Sequence, residues 1–147
     1  MADNEQLNES IWLAAQARLG LTDEQLEEMK RRPAWRKIFR PTVINDLLRT
    51  SVSFEVVEAH SCNIGHAVGE RFLFSAEGYM LAHKCPEKVC PFLMPVMTRM
   101  MWLVQERIYE GLDPRPTFYF GDCDDVGFNC GGLGNVRLET KIAYDEA

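Results

Sequence analysis

VSFEVVEAHSCNIGHAVGERFLF, residues 52–74, is the stretch from which the rest of the chain is best ordered. Val52, Phe54 and Val56 alternate with Ser53 and Glu55, the two-residue period of a strand with one buried face. A turn holding Cys62, Gly65 and His66 follows, and Gly69 then leads into Arg71-Phe72-Leu73-Phe74, a second strand. Glu77-Gly78 is a turn signal after it.

Upstream of about Thr50 the pattern is helical. Leu7, Ile11, Ala14, Ala15 and Leu19 fall at helical spacing, and Gly20 sits where a helix stops. Thr22 with Gln25 is a capping-box pair, so a second helix carrying Leu26 and Met29 follows and ends at Pro33. A short segment with Trp35, Ile38 and Phe39 comes next, and Pro41 opens a further helix with Val43, Ile44, Leu47 and Leu48 apolar. Downstream, His83–Cys90 is a loop and Pro91 opens a long helix with Cys90 near its N-cap. Leu93, Val96, Met97, Met100, Val104 and Ile108 share one face of that helix, and Gly111 stops it. Thr117–Phe120 and Val136–Ile142 read as two more strands around a Gly- and Asp-rich loop. The expected fold is α+β. A helical region, residues 1–50, packs on a cysteine-containing unit, residues 51–147, with a small antiparallel sheet and one long helix.

A chain of 147 residues is long enough to build its own core without disulfides or metal. Lys and Arg total 16 against 22 Asp and Glu, a net charge of -6, which argues against a nucleic-acid binder. The start lacks a basic flank followed by an apolar run, so no signal peptide is expected. The longest apolar stretch, Phe92–Met97, is far short of the roughly 20 residues a membrane span needs. These features read as a cytoplasmic protein with no membrane partner, and stable disulfides are not expected there. Lys30, Arg31, Arg32, Arg36, Lys37 and Arg40 form a basic run, either a solvated helix face paired with Glu27 and Glu28 or a docking patch for an acidic partner. Met94, Met97, Met100 and Met101 with Trp102 read as a core stripe or as the lining of an adaptable pocket.

The five cysteines carry the chemistry. They run His60-x-Cys62-x3-His66, His83-x-Cys85-x4-Cys90 and Cys123-x6-Cys130, so all three histidines lie beside cysteines, in loops. Thiolates and imidazoles are the ligand set of Zn and Fe–S sites. No C-x2-C knuckle is present, so a metal site must be assembled from distant loops. Cys62, His66, Cys85, Cys90, Cys123 and Cys130 are the candidate ligands. Two other readings stand beside this one. Cys90, with the helix start and Lys84 and Lys88 nearby, suits a catalytic thiol partnered by His66 or His83. The cysteines also suit small buried hydrophobes. Asp122, Asp124 and Asp125 surround Cys123, so a thiolate there is repelled unless a cation is close. The glycines after Cys130 let backbone approach a ligand or simply form a hairpin loop.

Cys62-x2-Gly65-His66-x2-Gly69-Glu70-x-Phe72 resembles the opening of a small uncharacterised cysteine-containing family, mainly of anaerobic bacteria and archaea. That family is similar also in a later Cys-Pro at a helix start, here Cys90-Pro91, a Pro a few residues on, here Pro95, and a last Cys before a C-terminal strand, here Cys123 or Cys130. The resemblance spans roughly residues 52–142 and implies a compact α+β unit with Cys62, His66 and Cys90 at its site. It implies no activity. The resulting expectation is a small metal-binding protein, Zn or Fe–S, acting as a subunit or accessory protein of a larger, anaerobic enzyme system. The alternatives are a metal-independent thiol enzyme, and an interaction protein or homo-oligomer docking through its N-terminal helices.

Overall fold

Alternating apolar residues assemble a four-stranded sheet around the opening segment. The computed structural model describes the backbone of residues 2–144 and the side chains from residue 8 to residue 144. Strands β1 (Thr50–His60), β2 (Arg71–Ser75), β3 (Phe120–Asp122) and β4 (Asn135–Tyr144) lie in the order β2-β1-β4-β3, each neighbouring pair antiparallel. Val52 pairs with Phe74 and Phe54 with Phe72, so the inward residues of the two strands meet. Val52, Phe54, Val56, Phe72, Val136 and Leu138 are buried on one face. The other face is charged: Glu55 pairs with Arg71 and Lys141, and Arg137 with Asp122 and Glu58. An antiparallel sheet with one solvated face accounts for the clean alternation.

The long helix α5 (Met94–Tyr109) covers the apolar face. Val96, Met97, Met100, Val104 and Ile108, the residues its spacing selects, are all buried. Four helices precede the sheet: α1 (Ala2–Leu19), α2 (Asp23–Arg31), α3 (Pro33–Ile38) and α4 (Pro41–Arg49). The Thr22–Gln25 capping box closes reciprocally at the start of α2. Helix α4 joins the sheet core through Val43 and Leu47. Trp12, Phe39 and Trp35 form a separate aromatic run, with Trp12 and Phe39 4.7 Å apart. Along α1, Trp12 and Ala15 are the buried residues, whereas Ala14 and Leu19 are exposed; the side chain of Leu7 lies outside the described residues. The fold is α+β, as the patterning indicates.

Two local expectations are corrected, the start of the long helix and the third strand. Helix α5 begins at Met94, not Pro91. A proline ring collides with the carbonyl four residues before it, so Pro95 is incompatible with a helix already running at Pro91. Residues 91–93 form a turn instead, with Leu93 N–H donating to the Cys90 carbonyl at 3.0 Å. The strand expected at Thr117–Phe120 is displaced to Phe120–Asp122, where Gly121 sits opposite Leu138. A Cβ at Gly121 would overlap Val96, so this glycine is where α5 approaches the strand most closely. In the basic run, Lys30 pairs with Glu9 and Glu27, Arg31 and Arg32 with Glu28, and Lys37 with Glu110. Four of the six cations are thus paired with carboxylates of the chain itself, across α2 and α3, and Arg40 donates to the Lys37 and Tyr109 carbonyls. Among the described residues, no helix is long and apolar enough to cross a membrane.

Candidate functional site

Four chain segments meet at one end of the sheet: the turn after β1, the lead-in to α5, the end of β3 and the start of β4. They enclose a cavity of about 270 Å³. Cys62, His66, Cys90 and Cys123 all line it, and Ile64, Phe92, Leu93, Leu133 and Val136 supply apolar wall. Cys90 and His66 are buried, and Cys62 and Cys123 are half-buried.

The loop carrying His66 is folded by the backbone. Gly69, at φ +94°, donates to the Val56 carbonyl at 2.8 Å, and Val56 N–H donates to the Glu70 carbonyl at 2.9 Å. A side-chained residue at that φ is strained, so glycine suits this turn. The loop thereby brings Glu70 against His66. The Glu70 carboxylate lies 2.7 Å from Nδ1 of His66, whose side chain is 2% exposed. Phe72 packs edge-on against the ring at 5.4 Å. A carboxylate partner holds the proton on Nδ1 and leaves Nε2 as a lone-pair donor. Nε2 is buried and has no hydrogen-bond partner among the described residues.

Cys123 is held from both sides by Val136. Its N–H donates to the Val136 carbonyl at 2.9 Å, and Val136 N–H donates to its Sγ at 3.3 Å. The aspartates around it do not act as the linear order implies. Asp122 is paired with Arg137, and Asp124 with Arg99. Asp125 accepts from the amides of Gly127, Leu133 and Gly134. The Gly127 hydrogen bond, with those of Gly134 and Leu133, holds the Asp125 carboxyl below its usual range, against a smaller opposing effect of burial. Each carboxylate is thus met by a cation or by amide dipoles, and the expected repulsion of a Cys123 thiolate is offset. Gly134 lets this loop close on the turn after β1, because a Cβ there would overlap the carbonyl oxygens of His60 and Ser61.

The other candidates stand apart. Cys85 packs beside β2, where its Sγ accepts from Leu73 N–H at 3.1 Å and lies 3.4 Å from the Leu81 carbonyl. Cys130 is exposed in a short 3-10 turn, Phe128–Cys130. His60 and His83 are exposed. Of the two late cysteines, Cys123 is the one at the cavity. Cys90 keeps its place but loses its helix N-terminus, since α5 starts four residues later and a helix field fades within a turn. Sequence reasoning gave Glu70 no role at the site, although its position four residues after His66 was a signal. The Val136 amide had none, because only pairing between β3 and β4 brings it to Cys123. Among the described residues, no three His, Cys, Asp or Glu side chains are already spaced to hold a single metal ion. Comparison of the chain with protein-family models, with curated proteins and with solved structures returns no match in any of the three.

Proposed function

We propose that this is a metal-binding protein whose ligands are Cys62, His66, Cys90 and Cys123, and that it serves a larger enzyme system as a small cytoplasmic accessory subunit. The observation that carries the reading is the His66 Nε2 atom. A buried imidazole nitrogen without a partner costs free energy unless something occupies it. Its ring is oriented by Glu70 as the histidine of a carboxylate–histidine–metal relay is oriented, and three thiols share its cavity. The donor set suits zinc or iron–sulfur and excludes none of the thiophilic metals. Phe92, Val126, Phe128 and Leu133 remain exposed on the segments that wall the cavity, which supports an accessory role. The resemblance of the Cys62–Phe72 motif to a cysteine-containing family points the same way, toward Cys62, His66 and Cys90.

The test is a metal titration of the full chain, purified without oxygen, followed by thermal unfolding. A ligand that binds only the folded state raises the midpoint in proportion to the logarithm of its concentration above Kd. The expected result is such a rise with Zn²⁺ or with Fe²⁺ plus sulfide, and its loss in Cys90→Ala. No rise with either sinks the reading.

A second reading, a metal-independent enzyme with Cys90 as reactive thiol and His66 as partner, has one observation in favour: both residues line the cavity. Against it, Nε2 makes no hydrogen bond to a thiol. Rapid alkylation of Cys90 by iodoacetamide in metal-free protein, faster than that of exposed Cys130, would favour this reading over the first.

A further inference from the structure

We infer that the cavity is built for a polynuclear iron–sulfur cluster rather than a single ion; this rests on the metal-binding reading above. The first observation is how the donors are spaced. Zn–S bonds of about 2.3 Å draw four tetrahedral ligands to within roughly 4 Å of one another. Here the donors instead stand around a cavity of about 270 Å³, and no three of the described His, Cys, Asp or Glu side chains are spaced for one ion. An apolar cavity of about 150 Å³ accepts a benzene ring. The cavity that the thiols line therefore has room for several heavy atoms, which iron and inorganic sulfide would supply.

The second observation is the chemistry of the walls. Ile64, Phe92, Leu93, Leu133 and Val136 make most of the wall apolar, beside the polar Asn63, Asp125 and Asn135, and Asp125 is already taken up by the amides of its own loop. The bridging sulfides of a cluster are large and weakly hydrated, and they match such walls. The third observation is the pair of polar contacts. Val136 N–H donates to Cys123 Sγ, the kind of hydrogen bond that tunes cluster thiolates. His66 has its Nδ1 2.7 Å from Glu70 and its buried Nε2 without a partner among the described residues.

Assembly balances when ferric iron is among the co-reactants. Three thiols release three protons, three thiolate–iron bonds form, and His66 adds a neutral nitrogen ligand. Two ferric ions with two sulfides, or two ferric and two ferrous ions with four sulfides, make a dipositive core. Three thiolates on that core leave one net negative charge, and the protein itself oxidises nothing.

The experiment is anaerobic reconstitution of the full chain with Fe²⁺, Fe³⁺ and sulfide, beside a parallel arm with Zn²⁺ alone. Iron, zinc and acid-labile sulfide are assayed and the visible spectrum is recorded. The expected result is about two to four irons per chain with equimolar sulfide and broad visible absorption. Cys62→Ala, Cys90→Ala and Cys123→Ala should each lose more than half of that absorption, while Cys85→Ala and Cys130→Ala keep it. His66→Cys should retain iron but shift the spectrum, a change that a purely structural histidine would not produce. One zinc per chain, with no sulfide retained in the iron arm, overturns the cluster and leaves the metal-binding reading standing. Failure of both arms overturns both.

Discussion

Cys85 and Cys123 are both half-buried, and both accept a backbone N–H at sulfur, yet their surroundings make them different groups. Beside β2, Cys85 takes the Leu73 amide and also faces the carbonyls of Leu73 and Leu81. Those two carbonyl oxygens occupy the sides of the sulfur that the amide leaves open. At the sheet end, Cys123 takes the Val136 amide and opens onto the cavity, where Cys62, Cys90 and His66 also arrive. The Asp125 carbonyl is 4.0 Å away. Apart from that amide, the sulfur of Cys123 is left facing the cavity. Burial and an amide bond alone therefore do not mark a ligand. What the remaining neighbours leave the sulfur free to do decides it.

The largest expected effect joins the two regions. Phe72 is fully buried in β2, lies next to Leu73 and packs edge-on against His66. Phe72→Ala should destabilise the fold by about 3–5 kcal/mol through lost burial and a residual cavity. Denaturant unfolding measures it, and a loss under about 1 kcal/mol would mean that the β2 core is not packed as described. The same variant frees one side of the His66 ring, so metal affinity should fall along with stability.

The next effect separates the two cysteines. Cys123→Ala should lose most of the metal binding at the cavity, and the apo protein should lose about 1–2 kcal/mol as well, because the Val136 amide bonds its sulfur. Cys85→Ala should leave binding intact and cost about 1–2 kcal/mol, because the Leu73 amide and its carbonyl neighbours lose their partner. Metal content and urea midpoints, measured on both variants, give the two-by-two comparison. A Cys85→Ala protein that loses its metal would erase the distinction between the two sites.

Glu70 tests the His66 side of the cavity. Removing a carboxylate that orients a ligating histidine typically lowers metal affinity by about 10- to 100-fold. Glu70→Ala should show that drop by competition with a chelator. Glu70→Gln, whose amide oxygen still accepts from Nδ1–H, should recover most of it. Equal losses in the two variants would assign Glu70 to charge rather than to orientation.

Much of this was open to reading in one dimension, and the exceptions have physical causes. Alternation in Val52–Val56, the Thr22–Gln25 box and the Val96–Ile108 stripe are local patterns, and each appears where its period places it. The start of α5 was misplaced because Pro91 fits a helix opening but Pro95, four residues on, forbids it. The aromatic run Phe118-Tyr119-Phe120 has strand-like composition, yet the register against β4 is set where Gly121 lets Val96 in, and the three rings stay exposed. Cys123 and Cys130 were indistinguishable because loop closure, not spacing, sorts them. The aspartates looked repulsive because Arg99 and Arg137 are 25 and 15 residues away from their partners in the chain.

Asp125 gives the smallest and most local test, and it concerns the loop that sets Cys123 apart from Cys85. Its carboxylate accepts from Gly127 at 3.0 Å, from Leu133 at 3.1 Å and from Gly134 at 3.3 Å, which closes the cavity wall. Because those amides bond to the charged form, the folded-state pKa lies below the usual value. The contribution to loop stability is then fully present above the unfolded pKa of about 3.9. It is lost as pH falls through the lower folded value. The amide resonances of Gly127, Leu133 and Gly134 should therefore shift together with a midpoint under pH 4, and amide exchange in the loop should speed up only below it. Asp125→Asn places an amide nitrogen where one oxygen accepts. It should raise loop exchange at neutral pH and remove that acid transition, while the Cys85 region stays unchanged. Independent midpoints for the three amides would show that one carboxylate does not hold the loop.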